Sequence, residues 1–354
     1  MKILISVGTR PNFIKITRFK DVAKTLGLNV EIVHTGQHYD QNMANVFFDQ
    51  FDLRPDHVIQ LKEQGPAGQI GEMVVELSKL AASSKPDVLL SPGDVNSTLA
   101  AGIAANKLGI PLAHLESGLR SNDRTMPEEI NRILVDEISD YLFVTEPSGL
   151  RNLENAGVPA SRIHYVGNTM IDALVAFENQ IAASTILERY KIQPKGFVLM
   201  TMHRPATVDN AEGLLLIVDL IRSVAPMKVV FPLHPRTLSK FEHYNLKHSL
   251  LELSNVVLSE PMGYFDFQKL VAESKYILTD SGGIQEESTF KQVPCITIRP
   301  NTERPITCDI GTNQLVGSNL DLILEAIKTI DITHSKIPDL WDGFATERVL
   351  DAFT

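Results

Sequence analysis

Short apolar runs rich in β-branched residues alternate along this chain with stretches whose apolar positions recur every three or four residues. In the first half the runs fall at 3–7, 30–34, 88–91, 112–115, 141–145 and 164–166. In the second half they fall at 197–202, 229–233, 256–258, 276–279 and 295–297. Stretches with helical periodicity, such as 13–26 and 96–108, lie between them. Short strands that are apolar throughout and separated by helices predict parallel sheets covered on both faces. The alternation weakens over 168–195, which the pattern predicts as one long helical connector. A chain of 354 residues exceeds one ordinary hydrophobic core. The expectation is therefore an α/β protein of two doubly wound, Rossmann-like domains, 1–170 and 171–354, facing a cleft. The amphipathic segment 343–353 is expected to pack back onto the first domain. In such folds ligands bind at the carboxyl ends of the strands, so unusual polar residues matter most there.

Composition narrows the ligand. The net charge is −10, which argues against nucleic acid or an anionic membrane as a partner. An anionic ligand would need local Arg, Lys and amide groups working against that field. The two cysteines, Cys295 and Cys308, have neither a zinc spacing nor a disulfide framework, so no metal site is expected. The opening MKILISVGTRPNF lacks the long apolar region of a signal peptide, and no run approaches bilayer length. The expectation is a soluble protein of the reducing cytoplasm.

Polar residues do collect at the predicted strand ends. VGTRPNFIK, 7–15, has a glycine turn, Pro11 near a helix start, and Arg10 and Lys15 flanking it, the composition of a phosphate contact without a dinucleotide fingerprint. In LLSPGDVNSTLAA, 89–101, Asn96 and Ser97 are adequate helix caps, which leaves Asp94 for another task. His114 and Glu116 share one face of a strand that should be apolar on both. His114 is expected to be a satisfied core histidine, and Glu116 to be functional. In MPEEINR, 126–132, Glu128 and Glu129 point about 100° apart on a helix, so one ion pair with Arg132 does not account for both.

The second half supplies His203–Arg204 and His234 with Arg236 at consecutive strand ends, then Arg299 and Arg304 in IRPNTERPIT, 298–307. Its most informative stretch is TDSGGIQEES, 279–288. Ser281, Gly282 and Gly283 are expected to offer backbone N–H groups to phosphate oxygens. Glu287, one helical turn beyond Gly283, is placed to accept hydrogen bonds from a ribose. Glu286 is expected to be structural. The ligand these residues imply is a nucleoside diphosphate. Asp94, Glu116 and Glu128 are then available for proton transfer on a group attached to it.

GTRPNFIK, GQHYDQNM, GDVNSTLAA, HLESGLRS, MPEEINR, MHRP, HPRT, TDSGGIQEES and TERP occur in one order over residues 1–317. In that order they resemble the non-hydrolysing UDP-N-acetylglucosamine 2-epimerases. The resemblance implies a glycosyltransferase-B type fold, a UDP-sugar substrate, no cofactor, and a cytoplasmic homodimer serving polysaccharide synthesis. It implies removal of the C2 proton with elimination of UDP, then re-addition of UDP to the glycal. Asp94, Glu116, Glu128 and His203 match the family's catalytic positions. Arg10, Lys15, His234, Ser281, Gly282, Glu287 and Arg304 match its substrate contacts. Pro205 stands where many members carry an arginine, near the regulatory site of those that have one. Relatives act on UDP-2,3-diacetamido-glucuronate or on a UDP-acetamido-talose/fucosamine precursor, and a hydrolysing relative releases the free sugar.

Overall fold

The computed structural model describes residues 1–37 and 48–354, so most of the GQHYDQNM motif lies outside the described residues. The chain divides into two compact units, Met1–Ala176 together with Asp339–Thr354, and Phe177–Pro338.

Among the described residues the first unit holds a parallel sheet of β1 (Lys2–Val7), β2 (Asn29–His34), β3 (His57–Val58), β4 (Val88–Pro92), β5 (Leu112–Ser117), β6 (Tyr141–Val144) and β7 (Ile163–Tyr165). Their spatial order is β3-β2-β1-β4-β5-β6-β7. The second unit holds β8 (Phe197–Thr201), β9 (Lys228–Pro232), β10 (Val256–Ser259), β11 (Tyr276–Thr279), β12 (Cys295–Thr297) and β13 (Asn313–Leu315), in the order β10-β9-β8-β11-β12-β13. Every pairing is parallel.

The apolar runs are explained by burial on two sides. In β8, Val198 and Met200 pack into one core and Phe197 and Leu199 into another. A strand buried on both faces has no polar phase. The strand order reverses between β1 and β4 in one sheet and between β8 and β11 in the other. Helices on the two sides of such a reversal leave in opposite directions and open a crevice at the strand ends.

The expected connector over 168–195 is three helices, Thr169–Ala176, Glu178–Ala182 and Ile186–Tyr190. The last of them starts after Ser184, whose hydroxyl accepts the Ile186 N–H at 3.3 Å, a local bond that competes with a continuing helix. The expected helix over 13–26 is also split, into Arg10–Lys15 and Phe19–Thr25. Between them the Thr17 hydroxyl donates to the Ile14 carbonyl at 3.1 Å.

The C-terminal segment is tied to the first unit by specific polar contacts. Trp341 Nε1 donates to the Thr145 carbonyl at 3.1 Å, and the buried Asp172 accepts the amides of Ala345 and Thr346 at 3.1 and 2.6 Å. These are the first amides of the helix Ala345–Asp351, so Asp172 caps it from another element. Among the described residues no single helix is long and apolar enough to cross a membrane.

Candidate active site

In the first unit the site is built where the sheet order reverses. The turn after β1 is tied to the end of β4 by Asn12. Its Oδ1 accepts from the Thr9 amide at 3.2 Å and the Thr9 hydroxyl at 2.9 Å, while its Nδ2 donates to the Pro92 carbonyl at 3.0 Å. Arg10 opens the following helix, and burial pulls its guanidinium below its ordinary pKa. Lys15 at the far end of that helix is buried, and its Nζ pairs with Glu116 Oε2. The sequence had assigned Lys15 to phosphate; its ammonium here is held by the carboxylate. Gly93 makes this approach possible. It has φ +75°, and a Cβ there would lie 3.1 Å from Asn12 Nδ2 and 3.2 Å from Lys15 Nζ.

Glu116 is the extra residue of a β-bulge in β5, where the register with β6 shifts between Leu115 and Ser117. Its φ is +75°, a left-handed conformation that L-residues rarely adopt, and it is 6% exposed. Bulges re-aim side chains and persist only where surrounding bonds over-determine them. Here Lys15 holds the side chain, and the Asp136 carboxylate accepts the Gly118 N–H at 3.1 Å.

His114, two residues earlier on β5, has no exposure and both ring nitrogens engaged. Nε2 lies 2.7 Å from the Gly93 carbonyl oxygen and Nδ1 lies 2.7 Å from Asp136 Oδ1. Burial pushes the Asp136 carboxyl up, but His114 and Arg120 outweigh this and hold it below the usual carboxylate range.

Asp94 pairs with Arg132 at 2.6 Å. The same guanidinium meets Glu129 at 2.7 Å, and Glu129 accepts the Ser121 and Asn122 amides at 2.9 and 3.0 Å. Glu129 thus orders the loop before the helix Pro127–Ile138. Glu128, its half-buried neighbour on the first turn, projects from a different face.

In the second unit the polar residues again gather where the strand order reverses, at the ends of β8 and β11. Asp280 is fully buried and accepts the His203 amide at 3.0 Å, the Arg204 amide at 2.9 Å and His203 Nδ1 at 3.1 Å. Burial pushes its carboxyl up, and the His203 and Arg204 contacts pull it net below its ordinary value. His203 is thereby oriented, with its ring 5.7 Å from that of His234. The Arg236 amide donates to His234 Nδ1 at 3.2 Å, which assigns the proton of a neutral ring to Nε2. The Arg236 side chain forms a two-point pair with Asp209, including Nε to Oδ1 at 3.0 Å, and so is committed away from the histidines.

The Ser281 amide is not an anion donor here. It donates to Thr279 Oγ1 at 2.9 Å, because the strand end folds its own hydroxyl back on the turn. The glycines of the helix Gly282–Phe290 carry the first-turn amides, which have no intrahelical acceptor. A Cβ on Gly282 would sit 2.8 Å from Arg304 Nη1. That guanidinium is fixed by Glu286 at 2.9 Å and Glu303 at 3.0 Å. Arg299 and Arg204 also face Glu303, at 2.9 and 3.6 Å. Three guanidiniums thus gather around these two carboxylates beside the glycine turn. Burial drives the Glu287 carboxyl up to about 8, opposed by a hydrogen bond with Gln268 and reinforced by Glu286.

Gly282→Ala is expected to weaken binding of a nucleoside diphosphate by about tenfold, or ~1.4 kcal/mol, by displacing a guanidinium that two carboxylates pin. Isothermal titration with UDP measures it, and an unchanged dissociation constant would remove the close Gly282–Arg304 approach from the binding site.

Asp280, Glu303 and Asp136 were not singled out by the sequence. Asp280 and Asp136 act through partners distant in the chain, and Glu303 joins its neighbours Arg299 and Arg304 to the distant Arg204. The only linear signal was an acid immediately after β11 in TDSGG and another inside TERP.

Two parallel, doubly wound sheets with their polar residues at the points of reversal define a glycosyltransferase-B type fold. The family model described as UDP-N-acetylglucosamine 2-epimerase matches residues 20–354. The UDP-N-acetylglucosamine 2-epimerase of Methanocaldococcus jannaschii is 38% identical over 93% of this chain and 92% of its own. The crystal structure of the Methanocaldococcus jannaschii UDP-GlcNAc 2-epimerase in complex with UDP-GlcNAc and UDP superposes with a TM-score of 0.92 at 36% identity, covering 100% of this chain and 99% of that one. The UDP-2,3-diacetamido-2,3-dideoxy-D-glucuronate 2-epimerase of Pseudomonas aeruginosa is 41% identical over 93% of this chain and 92% of its own. The chain belongs to the UDP-N-acetylglucosamine 2-epimerase family.

Proposed function

We propose that this enzyme interconverts UDP-N-acetylglucosamine and UDP-N-acetylmannosamine by anti elimination and re-addition of UDP. A carboxylate takes the C2 proton, the C1–O bond breaks, and UDP leaves with the bonding pair as a C1–C2 double bond forms in 2-acetamidoglucal. Protonation of C2 on the other face and attack of the UDP oxygen on C1 complete the inversion. No electrons are exchanged with a carrier, so a redox cofactor has no role in these steps.

Asp94, Glu116 and Glu128 are the proton-transfer groups of the proposal. The observation that carries it is Glu116, a buried carboxylate held on a bulge at φ +75° by Lys15, a strained placement of a kind that clusters at catalytic centres. Charge develops on the departing diphosphate. Arg10, His203, His234, Arg304, the Ser281 hydroxyl and the amides of Gly282 and Gly283 are proposed to stabilise it. Glu287 is proposed to bind the ribose. Arg236 is proposed as an indirect contributor that positions His234 through its amide. The resemblance extends the proposal to a homodimer in the cytoplasm, and two free cysteines fit a reducing compartment.

Incubation with UDP-N-acetylglucosamine in D₂O, followed by NMR at C2, tests the reaction. Deuterium entering C2 with inversion, without accumulation of free sugar, is the expected result. The 41% identity to the diacetamido-glucuronate enzyme favours a second substrate, and parallel incubation with that UDP-sugar discriminates. Exchange with neither of these, nor with the UDP-acetamido-talose/fucosamine precursor, would remove the epimerase reading; free N-acetylmannosamine would move it to the hydrolysing class.

A further inference from the structure

Beyond the groups proposed to touch the sugar, the first unit contains a buried histidine–aspartate pair that the reaction scheme leaves without a task. His114 and Asp136 have side-chain exposures of 0% and 3%. Burying such a pair is costly and is not explained by stability alone. Its bonds run to both carboxylate-bearing turns. His114 Nε2 reaches the carbonyl of Gly93, the residue immediately before Asp94, at 2.7 Å. Asp136 Oδ2 accepts the amide of Gly118, two residues beyond Glu116, at 3.1 Å, and pairs with Arg120 at 2.6 Å. Gly118 has φ +78°, and a Cβ there would meet the Gly149 carbonyl oxygen at 2.5 Å, so the turn is fixed from its other side as well.

The protonation pattern follows from the partners. The Gly93 carbonyl only accepts, so Nε2 carries a proton. Asp136 is surrounded by an amide N–H, a guanidinium and the imidazole, an environment that favours the carboxylate. Nδ1 lies against that carboxylate. A carboxylate accepting from Gly118 makes a stiffer hydrogen bond than a neutral acceptor would.

We propose that His114 and Asp136 are positioning residues that lock the Gly93–Asp94 turn to the Glu116–Gly118 turn, fixing the relative placement of the two proton-transfer carboxylates. The inference rests on the epimerase reading. Neither residue touches substrate. Their contribution is geometric, and a displacement of about 1 Å in a reacting group is enough to lose about 100-fold in rate.

The test uses the full-length enzyme with Asp136→Asn, His114→Gln, His114→Leu and Arg120→Gln. Asn at 136 keeps the volume but loses the carboxylate charge. Gln at 114 keeps one donor for Gly93, and Leu keeps none. Arg120 is 14% exposed, so its replacement weakens the Asp136 anchor without leaving a fully buried unpaired ring. Expected is a fall in kcat for C2 exchange of about 10–100-fold in Asp136→Asn, with KM and the UDP dissociation constant within about twofold. His114→Gln should retain more activity than His114→Leu, and Arg120→Gln should show a smaller loss of the same kind. Wild-type kcat in Asp136→Asn overturns the proposal. So does a loss in which KM rises in step with the fall in kcat. Should Asp136→Asn fail to fold, judged by thermal melting, Arg120→Gln decides: unchanged kcat overturns the proposal, and reduced kcat at constant KM sustains it. Absence of exchange in the wild type would overturn the epimerase reading itself, an outcome distinct from any of these.

Discussion

Glu116→Gln is expected to lower C2 exchange by two orders of magnitude or more while leaving UDP affinity within about twofold, on the scale of general acid–base groups. The argument rests on where Glu116 stands. Its backbone is left-handed on a bulge, its carboxylate meets a buried ammonium, and its turn is anchored by Asp136. A left-handed non-glycine residue costs on the order of 1–3 kcal/mol, and a regular strand at this position would have avoided that. Gln preserves the shape and an acceptor for Lys15, so the turn should survive the change. What it cannot do is take and return a proton. C2 deuterium uptake, UDP titration and a thermal melt on the same preparation separate the possibilities. A variant whose UDP affinity and turnover fall together, with a lowered Tm, would make Glu116 a structural residue.

Much of the architecture was legible because parallel strands buried on both faces leave unbroken apolar runs. Phe197–Thr201 and Tyr276–Thr279 are both plain in the sequence. β3, His57–Val58, and β13, Asn313–Leu315, are too short and too polar to carry such a pattern. They exist because β2 and β12 present edges for them to pair with. The helix breaks at Thr17 and Ser184 were invisible because single hydroxyls turning back on the backbone leave the surrounding periodicity intact. The site was legible by residue type and only partly by partner. Glu116, Asp94 and the SGG turn stood out as polar groups at apolar strand ends. That Lys15 would belong to Glu116, Arg236 to Asp209 and the Ser281 amide to Thr279 depended on distances that linear spacing does not encode. For Glu303 only the contact to Arg204 is of that kind, since Arg299 and Arg304 are its near neighbours in the chain.

The largest pH effect is expected from Glu287. Burial, with Glu286 beside it and Gln268 partly offsetting, raises its carboxyl from 4.5 to about 8 in the folded chain. Between those values the folded state keeps a proton that the unfolded chain has released. Stability from this group is therefore fully present below the unfolded value and is lost as pH rises toward 8. At about 1.4 kcal/mol per unit, the loss across the window is roughly 5 kcal/mol. Glu287→Gln removes the titration but keeps the neutral shape, so its Tm should exceed the wild type's at pH 8 and match it below the unfolded value of 4.5. Binding runs the other way. A ribose offering two hydroxyl donors favours the ionised carboxylate, so UDP should displace the proton. Titration calorimetry at pH 7 in buffers of differing ionisation enthalpy should record proton release from the wild type in excess of that from Glu287→Gln. The variant should bind UDP more weakly by about 1–3 kcal/mol. Equal proton release by the two proteins, together with equal affinity, would take Glu287 out of the nucleotide site and leave it a buried acid of the second unit's core.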